Sequence, residues 1–227
     1  RDLHSFPTRR SSDLMDQLPG TSTDWNTLQN FACVRNAEAQ ILFSSPDVPL
    51  VHFGGINTGH FYYRRRPANT HLYSWVLNNY WTTNFKAGQE GELRWRYVIT
   101  SVNDPSPAVA ATFGQEERIP LIGRVKAEGK TNGAEFSETS PNLLLPDNIL
   151  WVNMRPLEAG KGILLQLRET AGKDTECELR DMTGNISSFS FREANVLGYP
   201  LGNPLRTLRI KALETRFLLL EFLNEKK

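Results

Sequence analysis

The sequence predicts an all-β fold, part of a large β-sandwich followed by a smaller C-terminal β-sandwich. Three observations predict it. Apolar residues come in short runs with the alternation of a pleated strand rather than the 3.6-residue repeat of a helix. Clusters of Gly, Asn, Ser, Pro and Asp punctuate those runs at short spacing. Only one stretch carries helix start and stop signals.

Taken in order, Phe31–Val34, Gln40–Phe43 and Leu50–Phe53 are short apolar or alternating runs. They are separated by Asn36, by Ser44-Ser45-Pro46-Asp47 and, after the third, by Gly54-Gly55, all turn formers. Leu72–Leu77 alternates and stops at Asn78-Asn79. Glu92–Thr100 reads most clearly as a half-buried strand, with Leu93, Trp95, Tyr97 and Ile99 on one side and Arg94 and Arg96 on the other. The helix is expected over Pro107–Phe113, with Pro107 in its first turn and Gly114 near its end. Residues 124–142 are polar and rich in Gly, Ser, Thr and charge, and read as a linker or long loop. Strand rhythm then resumes at Ile149–Met154, Ile163–Arg168, Thr175–Leu179, Phe189–Phe191, Leu205–Ile210 and Phe217–Phe222, the last a buried closing strand. The expected organisation is thus 15–123 for the large sandwich, 124–142 for the connection and 143–227 for the small sandwich.

Residues 1–14, RDLHSFPTRRSSDL, have no structural period and are expected to lie outside the fold as a disordered tail. They match, residue for residue, the translation of a widely used sequencing-library adapter. The expectation that follows is a natural chain continuing upstream of Met15. Removing them takes three arginines and two aspartates from the 26 basic and 25 acidic residues, leaving 23 against 23. A neutral chain carries no electrostatic footprint for nucleic acid or an anionic membrane. No run of 18 apolar residues is present to span a bilayer.

Cys33 and Cys177 belong to no C-x-x-C pair and read as two buried free thiols of a reducing compartment, so a cytoplasmic location is expected. Gly54-Gly55-Ile56-Asn57-Thr58-Gly59 has the wrong glycine spacing for a phosphate loop and reads as a turn. His52, His60 and His71 have no ligand spacing or acidic companion, so no metal site is expected. Arg64-Arg65-Arg66 after Phe61-Tyr62-Tyr63 reads as a solvated strand end rather than a single-strand nucleic-acid site. No catalytic Ser/His/Asp order or paired-carboxylate signature is recognisable, and no catalytic residue is assigned.

The densest constellation runs from Tyr73 through Trp75, Asn78, Asn79, Tyr80, Trp81 and Asn84 to Gln89-Glu90-Gly91. Aromatic faces stack on the C–H face of a pyranose, and amides both donate to and accept from hydroxyls. The competing reading is physical too: Trp75 and Trp81 as core fillers and Asn78-Asn79 as a turn.

Asn78-Asn79-Tyr80-Trp81-Thr82-Thr83-Asn84-Phe85, with Leu72-Tyr73-Ser74-Trp75 upstream and Gln89-Glu90-Gly91 downstream, resembles the C-terminal region of bacterial glycoside hydrolase family 38 proteins. Val48–Gly54, Asp24–Gln29, the run containing Trp151 and Gly162–Thr170 fit the same pattern, over about residues 24–223. The resemblance implies a retaining α-mannosidase, with an Asp nucleophile and a zinc ion held in an N-terminal barrel that this chain lacks. A metal at the sugar hydroxyls helps distort the ring toward an oxocarbenium-like transition state. None of those ligand motifs occurs here, so no cofactor is expected in this chain; zinc belongs to the missing catalytic domain. The implied partners are an α-mannoside and that barrel. Asn78, Asn79, Tyr80, Trp81 and Asn84 are the candidate substrate-binding residues. A free-standing carbohydrate-binding module, with Trp75, Tyr80 and Trp81 as its platform, and a purely structural sandwich are the alternatives.

Overall fold

A computed structural model describes residues 2–5, 25–56, 67, 69–78, 88–119, 121, 143–157, 162–179 and 189–222. The chain divides into two compact units, Arg1–Ile119 and Pro120–Lys227. The expected connection at 124–142 lies outside the described residues.

Among the described residues, the first unit contains two antiparallel sheets and one helix. One sheet has the order β1(Asp2–Ser5), β3(Ala32–Arg35), β4(Gln40–Ser44), β7(Val98–Val102). The other has the order β2(Asn26–Thr27), β5(Leu50–Phe53), β6(Leu72–Ser74). Leu28, Ala32, Val51 and Phe53 are buried together, with Phe43 and Leu72 packed against them. Those residues come from both sheets, so this cluster is the core of a sandwich. Along β4 the pleat sends Gln40, Leu42 and Ser44 to a buried face and Ile41 to an exposed one.

Helix α1(Pro107–Arg118) covers the buried face of β4. Ser106 caps it, its hydroxyl accepting from Ala108 N at 3.2 Å, with Pro in the first turn. The buried Gln40 side chain donates to Asp104 O at 2.6 Å and Ser106 O at 3.0 Å, tying the helix start to the sheet. The helix runs past the expected stop at Gly114 to Arg118. Gly114 is instead a close-approach point: a Cβ there would stand 2.5 Å from Phe31 Cδ1. The buried helix face is Ala108, Ala110, Ala111 and Gly114, small residues that let the helix lie close.

Two expectations differ from the structure here. Asp2–Ser5, within the segment expected to be a disordered tail, pairs antiparallel with the whole of β3, from Asp2↔Arg35 to Ser5↔Ala32. Backbone groups on a sheet edge accept any extended chain, so such pairing needs no particular side chains. The expected strand Glu92–Thr100 is shorter and shifted: β7 begins at Val98, and residues 92–97 join no ladder. Leu93, Trp95, Tyr97 and Ile99 are exposed rather than half-buried. The alternation is genuine, but its apolar side is only partly covered, Tyr97 lying against Phe43.

The described residues of the second unit also form two antiparallel sheets. One has the order β11(Phe189–Ala194), β13(Thr215–Phe222), β9(Ile163–Glu169), β8(Ile149–Pro156); the other pairs β10(Thr175–Glu178) with β12(Thr207–Ile210). Leu165 and Leu167 of β9, Leu218 and Leu220 of β13, Cys177 of β10 and Leu208 and Ile210 of β12 meet in one core with Phe191. Period-two alternation supplies it: on β12, Leu208 and Ile210 are buried while Thr207 and Arg209 are exposed. The closing run 217–222 is a strand, in the middle of its sheet between β11 and β9. It reads as nearly continuous apolar sequence because Leu219 is buried on the opposite face, with Leu164 and Ala194. The all-β sandwich class expected from the sequence is the one observed.

Glu169 organises one end of this unit. It is fully buried, and its carboxylate accepts five hydrogen bonds. Asn148 Nδ2 and Ala171 N donate to Oε1 at 2.8 and 2.7 Å; Gly172 N, Lys173 N and Leu213 N donate to Oε2 at 2.8, 3.3 and 2.8 Å. Leu213 sits in the left-handed region at φ 59°, a conformation costly for a branched residue. The Glu169 hydrogen bond holds that turn. Burial alone would push the carboxyl up, but the bonds from Leu213, Asn148, Ala171 and Gly172 outweigh it and hold it below the usual range.

Candidate functional site

Strand β6 positions the aromatic half of the predicted constellation. Its register on β5 sets His52 opposite Tyr73 and Val51 opposite Ser74. Leu72 and Ser74 therefore share the face of Val51 and Phe53, while Tyr73 points with His52 to the other side. Just past the strand end, Trp75 N donates to Leu50 O at 2.9 Å and its indole meets Trp25, ring centroids 3.7 Å apart and tilted by 56°. Trp25 also packs on His52 at 5.0 Å, and His52 lies 6.3 Å from Tyr73. The row ends at His71, whose Nδ1 is 3.3 Å from the Tyr73 hydroxyl. Tyr97 OH donates to Ser74 Oγ at 2.8 Å, tying the residue just before β7 to β6.

Trp25, Tyr73 and Trp75 are half-buried, His71 and Asn78 are exposed, and His52 is buried with its Nε2 2.6 Å from Gly55 O. Of the predicted sugar-binding residues, Asn78 follows directly on this aromatic row. Asn79, Tyr80, Trp81 and Asn84 lie outside the described residues, as do His60 and Arg64–Arg66. Trp25, fifty positions upstream of Trp75, was not singled out as a site residue. Its only sequence signal is an aromatic between Asp24 and Asn26, directly before the first strand of its sheet.

Chemically, the row can stack and can hydrogen-bond through His71, Tyr73 and Asn78. It holds no carboxylate to act as acid, base or nucleophile. Among the described residues, no three His, Cys, Asp or Glu side chains come together in a way that could hold a metal ion, so the donor set for zinc is not met here. Cys33 and Cys177 are both buried and form no disulfide, and burial pushes the Cys177 thiol up, away from reactivity. No helix among the described residues is long and apolar enough to cross a membrane.

The described chain is thus an all-β protein of two units, the first carrying an aromatic row at the end of a short sheet. No family model matches the sequence, and no curated protein matches it. Among solved structures, the fold is similar to that of an alpha-mannosidase from Enterococcus faecalis V583, with TM-score 0.54 and 13% identity, covering 86% of this chain and 21% of that one. It is also similar to a protein in the glycosyl hydrolase family 38 from Enterococcus faecalis, with TM-score 0.52 and 12% identity, covering 89% of this chain and 23% of that one. At such identities the likeness is one of fold. This chain corresponds to between a fifth and a quarter of the length of either neighbour.

Proposed function

We propose that this chain is the non-catalytic C-terminal β-region of a glycoside hydrolase family 38 α-mannosidase, inactive by itself. The observation that carries the reading is the match of nearly the whole chain to a limited part of two such proteins, one of them an alpha-mannosidase by name. It agrees with the Asn78–Phe85 segment, a resemblance drawn from different information. In this reading the zinc ion, the nucleophile and the retaining chemistry on an α-mannoside belong to the remainder of the enzyme. The region described here is a cytoplasmic scaffold that completes the catalytic barrel. Asn78, Asn79, Tyr80, Trp81 and Asn84 face the sugar site and hold hydroxyls rather than transfer protons.

The reading is tested by assaying hydrolysis of an aryl α-mannoside by the 227-residue chain, with and without added zinc, and by sequencing the contiguous upstream DNA. No turnover is expected, because no zinc-ligand set or nucleophile motif is recognisable in this sequence and such groups carry most of the acceleration. Turnover above background, or a stop codon immediately upstream of Met15, overturns it. In the reconstituted enzyme, Asn79→Ala or Trp81→Ala should lower kcat/KM about 10–100-fold, the loss of about 1–3 kcal/mol of positioning contacts.

A second reading, a carbohydrate-binding module, is favoured by one specific observation, the half-buried Trp25–Trp75 pair beside Tyr73. Calorimetric titration of the chain with mannose and short α-mannosides decides it. Binding abolished by Trp75→Ala in a folded variant supports the module; no heat at millimolar sugar leaves the scaffold reading.

A further inference from the structure

The sheet β1-β3-β4-β7 ends at β7, which pairs with β4 from Ser44↔Val98 to Gln40↔Val102 and has no described strand on its other side. Its side chains do not look like those of a finished edge. Natural sheet edges are blunted with short strands, charges or proline, because open N–H and C=O groups recruit other chains. Here β7 itself, Val98–Val102, carries neither charge nor proline, and the stretch before it alternates apolar with basic residues. Leu93, Trp95, Tyr97 and Ile99 are 39, 40, 36 and 68% exposed. Arg94 and Arg96 occupy the positions between them.

The apolar row belongs to the core side of the sheet. Ile99 stands opposite Phe43, and Tyr97 stacks on Phe43 with centroids 5.6 Å apart. Phe43 itself packs into the core between the two sheets. One strand position further, Ile41 is 52% exposed. The described strands of the second sheet are short, two, four and three residues long. Core-side positions thus stay part-exposed beside a strand edge that has no partner strand among the described residues.

We propose that the outer edge of β7, with residues 93–97 leading into it, is a strand-acceptor surface. Its occupant is an extended polypeptide segment alternating apolar and acidic side chains, supplied by the part of the enzyme outside this chain. Added as the next strand, such a segment pairs its backbone with β7 and extends the apolar row of Tyr97 and Ile99. Its acidic residues fall beside Arg94 and Arg96. Among the described residues, Arg94 is paired with Glu92 in a largely solvated ion pair, and Arg96 has no ion pair. The source of the strand rests on the mannosidase reading, whose matched proteins are more than four times as long as the region shared with this chain. The acceptor surface does not rest on it: the edge is read directly, and its failure leaves the activity and upstream-sequence tests unaffected.

The probe is a synthetic acetylated nonapeptide alternating Val and Glu, mixed with the 227-residue chain and followed by amide hydrogen exchange. Amides within 93–102 should exchange at least about tenfold more slowly with the peptide, while those of β9 stay unchanged. A Val/Lys peptide of equal length should give no protection. The Trp95→Thr, Ile99→Thr double variant, with unchanged β9 protection showing that the chain is folded, should lose the effect. Protection confined to other segments, no protection at all, or equal protection by the Val/Lys peptide overturns the proposal. So does concentration-dependent dimerisation in sedimentation that protects 93–102 without peptide, since the occupant is then a second copy.

Discussion

Replacing Glu169 by Gln keeps the shape of the side chain and removes its charge, and the structure shows what that does. Oε1 accepts from two donors and Oε2 from three. An amide has one oxygen, so its NH₂ must face N–H groups on one side. The milder choice sets it against Asn148 Nδ2 and Ala171 N. Asn148 cannot simply turn over to accept, because its Nδ2 also donates to Thr175 Oγ1 at 2.6 Å. At least one buried backbone N–H is orphaned, at about 1–3 kcal/mol, and the remaining bonds lose their charge assistance. The expected loss is about 3–5 kcal/mol. For a unit of this size that lowers Tm by more than about 12 °C. The assay is urea unfolding read by exchange protection of β9 amides, which reports on the second unit alone. A loss under about 1 kcal/mol refutes the reasoning, because it would mean that water already serves these donors.

Acid should act through the same group. A carboxyl whose folded pKa is depressed contributes stability above its unfolded value, about 4.3, and that contribution is lost as pH falls through the lower folded value. The second unit should therefore weaken below about pH 4, with a shallower acid limb in Glu169→Gln and a residual slope from Glu214. That neighbour is depressed chiefly by the Lys211 backbone N–H, then by Arg216. Gly162→Ala should cost about 2–5 kcal/mol in equilibrium unfolding, since its φ of +129° is strained for any side chain and a Cβ would overlap Leu220 O. Gly114→Ala should destabilise the first unit measurably by thermal unfolding, because Phe31 is fully buried and cannot retreat to solvent. In a double-mutant cycle, Trp25→Ala and Trp75→Ala should couple by about 0.5–1.5 kcal/mol; additive losses would show that the two indoles do not support one another.

The strand content was legible because period-two burial is written directly into runs such as Thr207–Ile210 and Leu50–Phe53. Helix α1 was legible at its start, where Ser106 and Pro107 act locally, and not at its end. Gly114 looks like a stop signal, but contact with Phe31, more than eighty positions away, makes it an interior residue. Half of the aromatic site was legible for a similar reason. Tyr73, Trp75 and Asn78 are neighbours in sequence, whereas Trp25 reaches them only through the β2–β5–β6 pairing.

By itself, the sequence determined the all-β class, the alternation of each strand, the chemistry of the amide–aromatic segment and the absence of a recognisable catalytic set. These depend on residue type and short-range spacing. Tertiary structure alone decided that Leu93, Trp95, Tyr97 and Ile99 stay part-exposed rather than buried, and that Glu169 is the hub of five hydrogen bonds. Alternation tells which side of a strand is apolar. Whether anything covers that side, or which distant N–H groups converge on a carboxylate, depends on chain segments that no local pattern can bring together.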